Sequence, residues 1–256
     1  MRVDYRNMEK GRKAARIGLD SEKDIIHMIN TNKKFHDSIR RSLLALGFSP
    51  QKRLIATKDD VKTDIFMKID GDIGVSIKSS TKTSFHHLDR RWIEQWKVFL
   101  HMPDVIFETL KGAILRIARN PREKFILEKD RGKITAFLAK HLKVILTEIF
   151  MKGEQNLKLF MINDKRCRII YVYKMMDVLT FLFENASDHI SFSNKGIVRL
   201  GDFITIQRKS GNGKHITLPK THYRHPGNQL QFKFSPLKFT DHIQETNAIT
   251  FYPIQY

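Results

Sequence analysis

The run Thr63–Lys78, TDIFMKIDGDIGVSIK, leaves this chain few local folding options. Two segments rich in β-branched and aromatic residues, Thr63–Ile69 and Ile73–Lys78, flank Asp70-Gly71-Asp72. Asp-Gly between such segments signals a hairpin, because glycine accepts the positive φ of a tight turn while its flanks favour extended backbone. An antiparallel hairpin sets the start of its first strand beside the end of its second. Asp64 and Lys78 are therefore predicted to be neighbours. A carboxylate supplies hard oxygen ligands for a divalent cation, and an adjacent lysine can orient or deprotonate a water. The pair is minimal equipment for metal-dependent hydrolysis of a phosphodiester. It equally suits an ordinary hairpin with charged ends, and spacing alone does not choose between the two.

Charge narrows the choice of partner. With 46 Lys and Arg against 27 Asp and Glu, the net charge of +19 favours a polyanion, nucleic acid before an anionic membrane. A hydrophobic content of 41% with 10% aromatics supports a true core, and 256 residues suit one elaborated domain or two small ones. No apolar run is long enough to span a bilayer. The opening MRVDYRNMEKGRKAARIG lacks the apolar stretch of a secretory signal. The single Cys167 leaves no internal disulfide and no cysteine-based zinc site. A cytoplasmic, reducing location in a prokaryote is the expectation.

Along the chain, Ile25, Ile29, Phe35, Ile39, Leu43 and Leu46 recur at helical spacing over Ser21–Leu46, and Gly47 stops the helix. Glu22, in the first turn, reads either as an acid favoured by the helix dipole or as a second carboxylate reaching a metal at Asp64. The hydroxyl-rich segment Ser79–Ser84, with Lys82, offers donors to phosphate oxygens. FHHLDRRWIEQWKVFL, starting at Phe85, reads as a helix whose aromatic stripe is core; Phe85, His86 and His87 precede that stripe and suit an apolar wedge with polar neighbours. Pro103 to about Phe150 reads as mainly helical, with Asn120–Lys133 a boundary or surface loop. Strands are expected at Leu157–Ile162 and Arg168–Tyr173, a short helix at Asp177–Glu184, and then a β-rich C-terminal part. Within it, GDFITIQRKSGNGK ends a strand in Gln207, Arg208 and Lys209 beside a loop opening at Ser210. Gln and Arg make bidentate contacts to base edges; a hairpin tip that meets only phosphates or solvent fits the composition as well.

These pieces resemble, in order, the monomeric Type II restriction endonucleases of the PD-(D/E)xK superfamily, a branch that includes MspI and the GCGC-cutting HinP-type enzyme. The hairpin is similar to the catalytic motif, with Thr63 in place of its Pro and Ser76 where an acid is usual. Ser21-Glu22-Lys23-Asp24-Ile25, Lys62-Thr63-Asp64-Ile65, Phe85–Trp92, Leu146–Ile149, Thr205–Gly211 and Leu230–Lys233 carry the rest of the likeness. The segments Lys214–Asn228 and Thr240–Tyr256 depart from it. The resemblance implies an α/β (α+β) fold: a mixed central sheet flanked by helices over 1–150, and a β-rich DNA-recognition lobe over 151–256. It implies Mg²⁺, with Mn²⁺ as a substitute, bound by Asp64, the Ile77 carbonyl and Glu22; Lys78 acting on the water; and Ser76 hydrogen-bonded to a metal-bound water. Gln207, Arg208, Lys209 and Ser210 would read the major groove, and Phe85, His86 and His87 would press on the minor groove. A monomer cutting duplex DNA at a short GC-rich palindrome, paired with a protecting methyltransferase, is the expectation. The alternatives are a repair or junction nuclease of the same fold and a non-catalytic DNA-binding regulator.

Overall fold

The computed structural model describes residues 20–50, 54–58, 63–69, 71–211 and 217–256. It is a mixed α+β protein with two sheets, each flanked by helices. The chain forms two compact units interleaved along the sequence rather than divided at residue 150. One takes Phe85–Phe150 and Leu182–Ser235; the other takes Met151–Phe181, Pro236–Tyr256 and the described part of 12–84.

The hairpin belongs to the second of these. It contains α1 (20–31), α2 (Lys33–Ala45), β1 (Ile55–Thr57), β2 (Ile65–Ile69), β3 (Gly71–Ser80), β5 (Leu157–Asp164), β6 (Ile169–Lys174), α7 (Pro236–Thr246) and β11 (Phe251–Gln255). Its six strands run in the order β1-β2-β3-β5-β6-β11. All neighbours are antiparallel except β3 and β5, which are parallel. The expected single helix over Ser21–Leu46 is broken at Asn32, whose side chain caps α2 by accepting the Phe35 N–H at 3.0 Å. At the far end Gly47, with φ of +81°, lets the chain leave the helix. Ile25, Ile29, Phe35, Ile39 and Leu43 pack on one face of the sheet against Ile65, Met67, Val75, Ile77, Leu159 and Met161, all nearly inaccessible. On β3, the alternate residues Ser76 and Lys78 therefore project to the other face. The turn residue Asp70 lies outside the described residues.

The other unit holds β4 (His86–Arg91), α3 (Ile93–Phe99), α4 (Asp104–Arg119), α5 (Arg131–Met151), β7 (Ile190–Phe192), β8 (Val198–Leu200), β9 (Ile204–Arg208) and β10 (Leu230–Phe234). Helix α6 (Met175–Ser187) runs from one unit into the other. The five strands form the antiparallel sheet β4-β10-β9-β8-β7. Trp96, fully buried, packs on Phe232 at 5.0 Å between ring centroids, and Phe150 meets Phe234 edge-on at 5.4 Å. The expected helix from Phe85 is corrected here: His86–Arg91 is an edge strand paired to β10, and the helix begins only at Ile93. Ladder hydrogen bonds from β10 outweigh the helical spacing of Leu88, Trp92 and Trp96. Among the described residues no helix is long and apolar enough to cross a membrane.

At the end of β5, Asp164 is buried and fully engaged by Arg166, with bonds of 2.7 to 3.0 Å, while Arg166 also reaches Asp241 at 2.7 Å. Burial alone would raise the Asp164 pKa, but the hydrogen bonds and charge of Arg166 hold it below the usual carboxylate range. A lowered native pKa stabilises the fold above the unfolded-state pKa, and that contribution is lost as pH falls through the native value. Urea denaturation should therefore show stability declining from about pH 4 downward, and Asp164→Asn should flatten that decline while lowering stability at neutral pH.

Candidate functional site

Three chain segments meet at the open end of the hairpin. Asp64 directly precedes β2 and is partly exposed. Its Oδ2 accepts the backbone N–H of Ile77 at 2.6 Å and the Ser76 hydroxyl at 3.2 Å. Lys78 Nζ stands 3.5 Å from the same oxygen and donates to Ser76 Oγ and to the Ile77 carbonyl, each at 3.1 Å. The predicted neighbours Asp64 and Lys78 are thus brought together, with Ser76 between them. The ladder makes this possible because Ile65 pairs with Val75, which sets Asp64 level with Ser76 and within reach of Lys78.

The surroundings hold that geometry. Thr63 donates its hydroxyl to Glu154, and its methyl abuts Gly74. A Cβ on Gly74 would lie 3.0 Å from that methyl and 3.2 Å from the Asn156 carbonyl, so a larger residue would have to push these neighbours apart by a few tenths of an ångström. Glu154 is a carboxylate that the sequence did not single out; ninety residues of intervening chain hide the contact. Ser79, one residue past Lys78, shares a 2.6 Å hydrogen bond with Ser21 of α1, and Asn163 donates to Ser21 at 3.1 Å. Glu22, next to Ser21, accepts from Lys58 at 2.8 Å. The structure thus joins Glu22 to Lys58, and no bond among the described residues links it to Asp64. Lys82 is exposed on the turn that follows β3, where its backbone N–H donates to Ser80 Oγ at 3.2 Å.

The oxygen donors suit a hard cation. The hydrogen bonds described at the Asp64 carboxylate fall on Oδ2, which Ile77 and Ser76 orient. Magnesium commonly takes one or two carboxylates and fills its shell with water and substrate phosphate. No group of three or more His, Cys, Asp or Glu side chains is assembled for a metal among the described residues. Asp64 and the Ile77 carbonyl are the oxygen donors that the end of the hairpin brings together.

The other sequence-predicted residues lie in the unit that does not contain the hairpin, on and around its five-stranded sheet. Across β9, β10 and β4, Gln207 stands opposite Gln231 and Gln231 opposite Arg90. In the next row Thr205, Lys233 and His87 are aligned. Gln231 Nε2 lies 3.4 Å from His87 Nδ1. Arg90 and Lys209 are close enough that Arg90, after burial itself, depresses the Lys209 pKa; burial likewise lowers Lys233. The strands of this sheet carry one acid, Asp89, which is fully buried. His87 and Gln207, expected on opposite grooves, share this face. Phe85 is exposed just before β4, and His86 stands opposite Phe234, one register position from His87.

Arg208 is turned the other way. It is in phase with the core residues Ile204 and Ile206, buried, and its Nε donates to Asn228 at 2.7 Å. Burial pushes its guanidinium pKa down. Ser210, at φ of +60°, is exposed and lies 3.5 Å from Arg208 Nη1. Gly211 is described; Asn212 and Gly213 of the expected tip lie outside the described residues. No protein-family model matches the chain, and a search of curated proteins finds no match.

Opposite phases along one strand give opposite consequences. Arg208→Ala removes a buried, bonded group and should cost about 1–3 kcal/mol in urea denaturation. Gln207→Ala, at a partly exposed side chain on the opposite side of the strand, should change stability by less than about 0.5 kcal/mol.

Proposed function

We propose that this chain is a metal-dependent deoxyribonuclease of the Type II restriction class, hydrolysing duplex DNA at a short palindrome. One observation carries the reading: Asp64, Ser76, the Ile77 backbone and Lys78 converge at one end of a hairpin in a mixed sheet. The acid-poor face bearing Arg90, Gln207, Lys209, Gln231 and Lys233 supports duplex DNA as the substrate. Paired glutamines and cations on adjacent strands are the donors and acceptors that distinguish base edges in a major groove. The net charge of +19 adds sequence-independent attraction to phosphates.

Asp64 would hold Mg²⁺ through its carboxylate, with the Ile77 carbonyl beside it; Mn²⁺ would serve in its place. When bound, the ion favours formation of hydroxide from water and offsets charge building on the phosphate. Ser76 fixes the orientation of the carboxylate and hands a hydrogen-bond acceptor to Lys78. Lys78, held by Ser76 Oγ and the Ile77 carbonyl, orients the attacking water and places positive charge against the pentavalent transition state. The water oxygen bonds to phosphorus as the P–O3′ bond breaks, which leaves 5′-phosphate and 3′-hydroxyl ends. Resemblance makes a GC-rich target, GCGC first, the one to try. It also makes a monomer acting alongside a methyltransferase that protects the same site the expected arrangement.

Unmethylated phage DNA digested with Mg²⁺ tests this reading. Discrete fragments whose ends share one palindrome, lost in Asp64→Ala and Lys78→Ala, are the expected result. A smear would replace the restriction reading with a less specific nuclease. Intact DNA with every divalent metal, despite tight binding, would replace it with a regulator.

A further inference from the structure

From Phe203 to Ser235 the sequence contains no Asp or Glu, yet it holds six Lys and Arg and three His. Part of that run, 217–229, forms a turn between β9 and β10 and belongs to no regular strand. It coincides with the segment that departs from the restriction-enzyme resemblance.

The turn is built from inside. Asn228 is buried and uses its whole side chain: its oxygen accepts from Arg208 Nε at 2.7 Å, and its amide donates to the carbonyls of Lys220 at 2.9 Å and His222 at 2.7 Å. Buried His225 accepts the Gly227 N–H at 3.0 Å. Ser210 donates its backbone N–H to the Gly227 carbonyl, and Lys209 donates to Gln229, so the turn continues the β9–β10 ladder. A Cβ on Gly227 would sit 2.6 Å from the Gly211 carbonyl, which shows how tightly the base is closed.

What this brace presents outward is cationic and aromatic. Lys220 and Arg224 are exposed, and Tyr223 is 51% exposed. The Tyr223 ring stacks on His222 at 4.9 Å, and the Arg224 guanidinium lies 5.6 Å from the ring centre. No carboxylate pairs with Lys220 or Arg224 among the described residues, and the surrounding sequence has none to offer. Buried Arg208, partly buried Lys209 and Lys220 add positive charge around His225, which contributes, after burial, to its lowered pKa. Holding cations together without acids is unfavourable in the free protein, and a polyanion relieves it.

We propose that the turn at 217–229 is a clamp on the backbone of duplex DNA, with Lys220 and Arg224 on phosphates and Tyr223 packed against the sugar edge. It supplies affinity without base choice, beside the face that supplies base choice. The clamp rests on the proposed DNA-cleaving function.

Each Lys or Arg that neutralises a phosphate contributes about 0.9 to the slope of log affinity against log salt. Anisotropy titrations of a fluorescent duplex over a salt series should therefore show the Lys220→Ala/Arg224→Ala chain with a slope smaller in magnitude by about 1.8. Tyr223→Ala should weaken binding a few-fold at unchanged slope. Lys140→Ala/Lys143→Ala removes two exposed charges from α5 and should leave the slope as in the wild type. Equal slopes for the turn variant and the wild type, or equal losses in both double variants, overturn the clamp while leaving the nuclease reading intact. A wild-type chain that fails to bind duplex DNA overturns both.

Discussion

Strand β3 is hydrogen-bonded along both edges, antiparallel to β2 and parallel to β5, and this double pairing sets the direction of each side chain along it. Val75 and Ile77 must point into the apolar layer made by α1 and α2. Ser76 and Lys78 must then point away from it, since a slip of one residue would bury the lysine and expose the core. The bond from the Ile77 N–H to Asp64 Oδ2 uses the one place where β2 has not yet begun, so the carboxylate takes a backbone donor that the ladder leaves free. The site is thus a by-product of the strand's pairing. Its rigidity comes from the same burial that stabilises the sheet.

The other unit shows the complementary use of alternation. Its sheet buries Phe232, Phe234, Ile204 and Ile206 on one side and carries amides and cations on the other. Among the described strands of this sheet Asp89 is the only acid, and it is buried. Like charges gathered on one face repel one another, a cost that a bound polyanion would relieve. Arg208 makes the distinction concrete. In a row of polar residues it reads like its neighbours, yet it sits on the core side and serves the turn at 217–229 through Asn228.

Much of this was legible in the sequence. The hairpin, the pairing of Asp64 with Lys78 and the strands at 157–162, 168–173 and 203–209 follow from local pattern and turn chemistry. The same alternation could have separated Arg208 from Gln207 and Lys209, because Ile204, Ile206 and Arg208 share one phase. Strand β4 was not legible: Leu88, Trp92 and Trp96 keep helical spacing, and only the distant β10 makes His86–Arg91 extended. Strands β1 and β11 and helix α7 gave too short or too mixed a pattern. The contact of Glu154 with Thr63 joins segments far apart in sequence, and Asn228 acts within an irregular turn that has no periodic pattern to read.

Metal-dependent cleavage at the hairpin would require an Asp64 carboxylate oxygen to be available to a cation. Electron paramagnetic resonance of Mn²⁺ titrated into the wild-type chain and into Asp64→Asn addresses this without requiring cleavage. The prediction is that the wild type withdraws Mn²⁺ from the free pool and that Asp64→Asn, which keeps an oxygen for Ile77 but loses the charge, does not. Equal uptake by the two chains would contradict a metal centre at Asp64.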